Sequence, residues 1–543
     1  MAFWLKMSGL LRSLSSSQCL SPRKRGTKPS PGSSPGLKIA RSVATKQSRK
    51  KYWGTLHLRF LLLFLCILLA GCAVGPDFET PPAPQTDSYT ESALPEKTVE
   101  TKGPGGESQV FVDGMDIPGC WWHLFHSKPL NRLIERALIN SPNLQAAQAA
   151  FRQAEANLQV SVASLFPFVN IQLQPERQRF NPAIFDVQSQ PITFNLYNAT
   201  ANVSYTLDLF GAIRRQIESS EAQVDYQNFQ VEATYLTLTS NIVTTAIAEA
   251  SLRAQIQATE ALIAAQGKVL KITEQKFNLG GASRLEVLAQ ETQLAQTRAN
   301  LQPLRSNLAK TRHSLAVLIG DLPSESCLPC FSLNDLKLPT DLPVSLPSCL
   351  VQQRPDIKAA EALLHSAGAQ IGVATANLFP QITLTGSYGF LSDRLKTLFD
   401  HSSNVWDIMA TLLQPVFQGG ALLAKREASI AVFEQAFAQY RQTVLQAFQN
   451  VADTLRSLEI DAQQLQVQTE AEVAASKTLA LTETQYKLGA VSYLNFLDAE
   501  RQYHQASIGR IQAQAARYAD TAALFQALGG GWWNRKPILC KVP

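Results

Sequence analysis

The sequence predicts an internally duplicated chain of mixed class, in which membrane-type β-strands are joined to very long α-helices. Three observations carry this expectation: a repeat of about 200 residues, four runs of apolar/polar alternation, and helical tracts free of proline. The duplication shows in matched segments. Leu165-Phe166-Pro167 recurs 213 positions on as Leu378-Phe379-Pro380, and Pro142-Asn143-Leu144 recurs at that spacing as Pro355-Asp356-Ile357. Phe277-Asn278-Leu279-Gly280, with Ser283 and Leu285, answers Tyr486-Lys487-Leu488-Gly489, with Ser492 and Leu494, at a spacing of 209. So long a period excludes a solenoid and indicates two copies of one unit packed about a pseudo-symmetry axis.

The strands follow Pro167 and Pro380. From Tyr197 to Leu209 apolar residues at odd positions alternate with Asn198, Thr200, Asn202, Ser204, Thr206 and Asp208, which gives one apolar and one polar face. Its hairpin partner is Val169 to Phe180, and the second copy supplies Ile382 to Phe390 and Val405 to Phe417. From Ile192 to Leu209 an extended chain reaches roughly 60 Å, more than a tilted membrane strand needs.

The helices come next. No proline occurs from Ile192 to Gln302 or from Val416 to Lys536, and no glycine from Ala421 to Leu488. A helix over that last stretch would reach on the order of 100 Å, so packing against neighbouring long helices is expected. Pro303 interrupts the helical run from Arg284 to Ile319, and a kink is expected there. Four strands do not close a membrane barrel, for which about eight is the minimum, so the chain must oligomerise. Three copies would supply twelve strands; two or four remain open from the residues alone.

Composition narrows the partners. Residues 1–71 hold 13 of the 49 Lys and Arg and no Asp or Glu, which leaves 36 basic against 43 acidic side chains in the remainder. The formal +6 becomes −7, and nucleic-acid binding loses its support. Lys46, Arg49, Lys50, Lys51 and Arg59 precede the apolar run Phe60 to Ala70, the layout of a secretory signal. Its eleven residues are too few for a transmembrane helix, which needs about 20. Leu69-Ala70-Gly71-Cys72 resembles a bacterial lipoprotein box, which makes Cys72 the expected acylated N-terminus of the mature protein. Residues 1–45 exceed what a signal requires; an over-extended start is the preferred reading, with an organellar transit peptide as the alternative.

The expected organisation is a leader and signal (1–71), a lipid-anchored tether (72–120), a first repeat (121–320, strands about 168–209), a linker (321–346), a second repeat (347–532, strands about 381–417) and a tail (533–543). The tether, with Pro76, Pro81, Pro82, Pro84 and Pro95, is expected to be extended and coreless, and the linker to run along the outside of the helices.

Specific blocks then carry a resemblance. They are Cys72-Ala73-Val74-Gly75-Pro76-Asp77-Phe78, Trp121-Trp122 with Phe125, Arg354-Pro355-Asp356-Ile357 with Ala360-Glu361, Ile371-Gly372-Val373-Ala374, Phe379-Pro380-Gln381-Ile382 and Leu528-Gly529-Gly530-Gly531-Trp532. Together they resemble the lipidated TolC-type outer-membrane factors of tripartite efflux systems, over essentially all of Leu69 to Trp532. Two features depart from the family pattern: Pro142, where a polar or acidic residue is usual, and the N-terminal extension. The resemblance implies a homotrimer whose twelve-stranded outer-membrane β-barrel continues into a periplasmic barrel of twelve long α-helices. It further implies a passive duct for drugs, metals or other small solutes, docked on a periplasmic adaptor and an inner-membrane pump of the resistance-nodulation-division type.

Site residues follow in part from the repeat and in part from the resemblance. Gly280, Gly281 and Gly489 mark the turns at equivalent helix junctions. By resemblance, Asp498 falls at an acidic gate position, Arg501 follows one turn later, and Asn495 stands where some members carry a second acid. Cys327-Leu328-Pro329-Cys330 with Cys349 lacks the further ligands of a zinc site and the context of a redox motif, and is compatible with a structural disulfide. His123 and His126 are read as packing or surface residues. No catalytic motif, metal motif or phosphate loop is present, so neither enzyme activity nor a cofactor is expected. A type I protein-secretion duct is the alternative among ducts. An adhesive coiled-coil lipoprotein leaves the four strands unexplained.

Overall fold

The structure, a computed structural model, describes residues 73–86, 88–181 and 190–535. Cys72 and the signal-like run before it lie outside the described residues.

Both repeats fold alike. In the first, α1 (Lys128–Asn140) and α2 (Pro142–Ala163) lead into strands β2 (Phe168–Phe180) and β3 (Ile192–Leu207), then helices α3 (Ala212–Asn278) and α4 (Arg284–Leu318). In the second, α5 (Pro347–Gln353) and α6 (Pro355–Ala376) lead into β5 (Gln381–Ser392) and β6 (Asn404–Leu413), then α7 (Ala421–Lys487) and α8 (Tyr493–Ala527). Prolines open α2 and α6, where a missing N–H costs no helical bond. The long helices α3 and α7 each hold 67 residues, about 100 Å at 1.5 Å per residue. The helix α4 continues through Pro303.

The strands form one antiparallel sheet in the order β2-β3-β5-β6. Its register keeps like with like. Ile171 opposes Ala201 and Leu173 opposes Ala199 on one face, while Gln172 opposes Thr200 and Gln174 opposes Asn198 on the other. Across the repeats, Tyr205 pairs with Leu384, which pairs with Ala410, and Thr206 pairs with Thr383, which pairs with Thr411. A slip of one residue would mix the faces, so the alternation sets the register. The apolar face is open to solvent in one chain, with Ile171 79% and Ile408 83% exposed.

Two strand ends fall short of the sequence expectation. The expected run to Leu209 ends at Leu207, because the Asp208 carboxylate turns away to accept the backbone N–H of Ile213 (3.1 Å) and Arg214 (2.9 Å) at the start of α3. The expected run to Phe417 ends at Leu413, just before Pro415, which has no N–H for a ladder.

The segment expected as a coreless tether is instead bound to the body. Strand β1 (Val110–Asp113) pairs in parallel with β4 (Asp341–Val344), a strand of the inter-repeat linker. Arg517, fully buried on α8, donates to the carbonyls of Gly105 (2.8 Å) and Glu107 (2.5 Å) and to Thr98 Oγ1 (3.0 Å). Polar satisfaction of one buried guanidinium thus orders a stretch that has few apolar residues. The linker also departs from an outer course: Phe331, Leu333, Leu336, Leu338 and Leu342 join the core with Trp121, Trp122, Phe125, Ile242, Leu315 and Phe525. The Trp121 ring stacks on Phe525 at 5.4 Å.

Candidate entrance at the helical tips

Each long helix ends in the same turn. Gly280 (φ +76°) and Gly489 (φ +75°) take the left-handed conformation that favours glycine. The next residue's N–H then reaches back five positions, from Gly281 to the Lys276 carbonyl (2.8 Å) and from Ala490 to that of Gln485 (2.9 Å). This Schellman arrangement satisfies the otherwise free carbonyls of the helix end. Gly281 lies in the turn through this bond, but it matches Ala490 and has no positive φ, so the conformation does not require glycine there. Ser283 and Ser492 cap α4 and α8, accepting the N–H of Glu286 (3.3 Å) and Asn495 (3.4 Å).

Asp498 and Arg501 lie on the first turns of α8 and form an ion pair with each other. The second carboxylate oxygen of Asp498 accepts from Gln502 Nε2 at 2.6 Å. Both groups are well exposed, which makes the pair weak and sensitive to salt. The structure therefore brings Asp498 and Arg501 together. It gives Asn495 a place in the cap through its backbone.

Behind this exposed pair is a buried set that sequence reasoning missed. Tyr486 stacks on Phe496 at 5.6 Å, Tyr493 leans on both, and Lys276 Nζ sits 5.1 Å from the Tyr486 ring centre. Tyr493 donates its hydroxyl to Gln290 Oε1 on α4. Gln290 Nε2 donates to the Gln266 carbonyl (3.1 Å), and Gln266 Nε2 donates to Glu500 Oε2 (3.2 Å). Burial pushes the Glu500 carboxyl up to about 7, and the nearby Glu483 charge acts in the same direction. The one available signal was spacing: Tyr493, Phe496 and Glu500 recur at three and four residues, on one face of α8.

The four cysteines among the described residues, Cys120, Cys327, Cys330 and Cys349, are free thiols, and no disulfide joins Cys327, Cys330 or Cys349. Among the described residues no group of three or more His, Cys, Asp or Glu is placed to hold a metal ion.

Comparison with known proteins agrees with this architecture. The family model described as outer membrane efflux protein matches residues 133–321 and 346–530, one block in each repeat. The probable efflux pump outer membrane protein TtgC of Pseudomonas putida is 31% identical over 483 residues, which cover 87% of this chain and 96% of that protein. The cation efflux system protein CusC of Escherichia coli is 27% identical over 478 residues, 87% of this chain and 98% of CusC. The solved outer-membrane channel OprN superposes with a TM-score of 0.77 at 27% identity, over 85% of this chain and all of OprN. With both repeats matched by one family and the whole fold shared with a solved channel, the chain belongs to the outer membrane efflux protein family and works as an outer-membrane efflux channel.

Proposed function

We propose that three copies of this chain close a twelve-stranded barrel in the bacterial outer membrane, anchored by acylated Cys72, with the helical hairpins reaching into the periplasm. One observation carries the reading: the sheet β2-β3-β5-β6 has one apolar face and two open edges. Lipid offers no partner for an edge N–H or carbonyl, so β6 of one copy must pair with β2 of the next until the sheet closes. Two copies would only reach the minimum of about eight strands. Three give the count that the resemblance to TolC-type factors implies.

In this arrangement the tips carrying Asn495, Asp498 and Arg501 meet on the pore axis as a periplasmic gate. There they dock on a periplasmic adaptor that connects them to an inner-membrane pump of the resistance-nodulation-division type. The chain supplies a path and no chemistry. The relatives' names cover an efflux pump and a cation efflux system, in keeping with a duct for small solutes whose selection lies in the pump. Native mass measurement in detergent tests the assembly: a trimer is expected, and a stable monomer that still conducts ions in a planar bilayer would refute it.

A further inference from the structure

The gate pair sits on one face of α8, and a second face of the same two turns holds α8 against the first repeat. Tyr493 and Glu500 are seven residues apart and point inward, 5% and 4% exposed. Tyr493 reaches Gln290 on α4, Gln290 reaches the backbone of Gln266 on α3, and the Gln266 side chain returns to Glu500. These bonds form a closed loop joining the two hairpins directly behind Asp498 and Arg501. Gln266 and Gln290 are both fully buried, and Gln266 Oε1 has no hydrogen-bond partner. A buried acceptor without a donor is costly, and a protonated carboxyl beside it is the donor it lacks.

We propose that Glu500 and Gln266 form a proton-operated latch that positions the gate: with Glu500 protonated it closes the seam between α8 and the first repeat, and ionisation of Glu500 releases it. The proposal rests on the duct reading. When neutral, the carboxyl both gives a proton to the Gln266 amide and receives one from it. When ionised, it is a buried anion held by one amide donor.

The charged and titratable groups around it do not compensate that anion. Helix α7 presents Glu483, already paired with Lys487 at 2.7 Å, and its charge opposes ionisation of Glu500. Helices α3 and α4 present the neutral Gln266 and Gln290. On α8 itself, Tyr493 is held protonated by burial, and burial holds His504 toward its neutral form. A folded-state value of about 7 against an ordinary 4.5 means that the closed seam binds the proton more tightly than a parted one. Closure is therefore fully favoured below the ordinary value and weakens as pH rises through about 7, by on the order of a hundredfold per protomer.

The test uses the full-length trimer in planar bilayers, with conductance recorded from about pH 4 to 8, which brackets the window between the ordinary value of 4.5 and about 7 over which the linkage acts. Wild type is expected to step upward through about pH 7. Glu500→Gln, which keeps an amide donor and cannot ionise, should stay at the acid-level conductance throughout. Gln266→Leu should lose closure at acid pH. Asp498, Arg501 and Glu286 are unchanged in both variants, so they do not account for a difference between them. A pH step that survives in Glu500→Gln, or a wild type that conducts with no step, overturns the latch and leaves the duct standing. Inserted trimers with no conductance at any pH would overturn the duct reading itself.

Discussion

Replacing Arg501 by alanine should loosen the proposed entrance. Arg501 pairs with Asp498, whose other oxygen is already held by Gln502 at 2.6 Å, so the substitution removes one of two partners. The two side chains are 67% and 45% exposed, and a pair so exposed contributes about 0.2–1 kcal/mol, or roughly 1.4- to 5-fold in the open–closed balance per protomer. Three protomers acting together would raise the upper figure to about 160-fold, with the unpaired carboxylates adding to it. At a spacing of about 10 Å in water each Asp498 pair repels by ~0.4 kcal/mol, before salt screens it. Single-channel recording at low salt should show raised conductance for Arg501→Ala and altered cation selectivity for Asp498→Ala, with trimer stability little changed in either. If both variants keep wild-type conductance and ion selectivity, the reasoning fails. The first-repeat turn near Arg284 and Glu286 then becomes the candidate.

Gly489→Ala should destabilise the tip by about 1 kcal/mol, since its φ of +75° strains an L-residue although the space beside it is open. Gly281→Ala, with ordinary φ, should be neutral, and equal protection from amide exchange at residues 486–492 in Gly489→Ala and wild type would count against this account. Asp461, raised to about 7 by burial and by the neighbouring Asp520, binds its proton more tightly when folded, so its contribution to stability falls as pH rises from its ordinary value through about 7. Asp461→Asn should therefore flatten the decline of Tm between acid and neutral pH, and an unchanged slope would contradict it. Cys72→Ala should abolish lipid labelling while the barrel still inserts; an intact mass showing a mature N-terminus upstream of an unmodified Cys72 would remove the lipoprotein reading.

By itself the sequence determined whatever depends on neighbours along the chain. Alternation at Tyr197 to Leu207 specified a two-faced strand, and the absence of Pro and Gly over Ala421 to Lys487 specified one uninterrupted helix. The tip turns were equally legible, since a glycine after a helix and a serine three residues further on carry their own geometry. The duplication placed both copies of each. Only the tertiary structure decided what depends on groups far apart in sequence. It set β1 beside β4, residues 110–113 against 341–344. It drew the linker into the core, and it wound a proline-rich segment around Arg517, whose acceptors at Thr98, Gly105 and Glu107 lie more than 400 positions away. Glu500 illustrates the divide most plainly: along the chain it is one more acid on a helix, and only the arrival of Gln266 from α3 makes it a buried carboxyl. Periodicity reports which face of an element is apolar, whereas the partner of a buried polar group is set when two such faces meet.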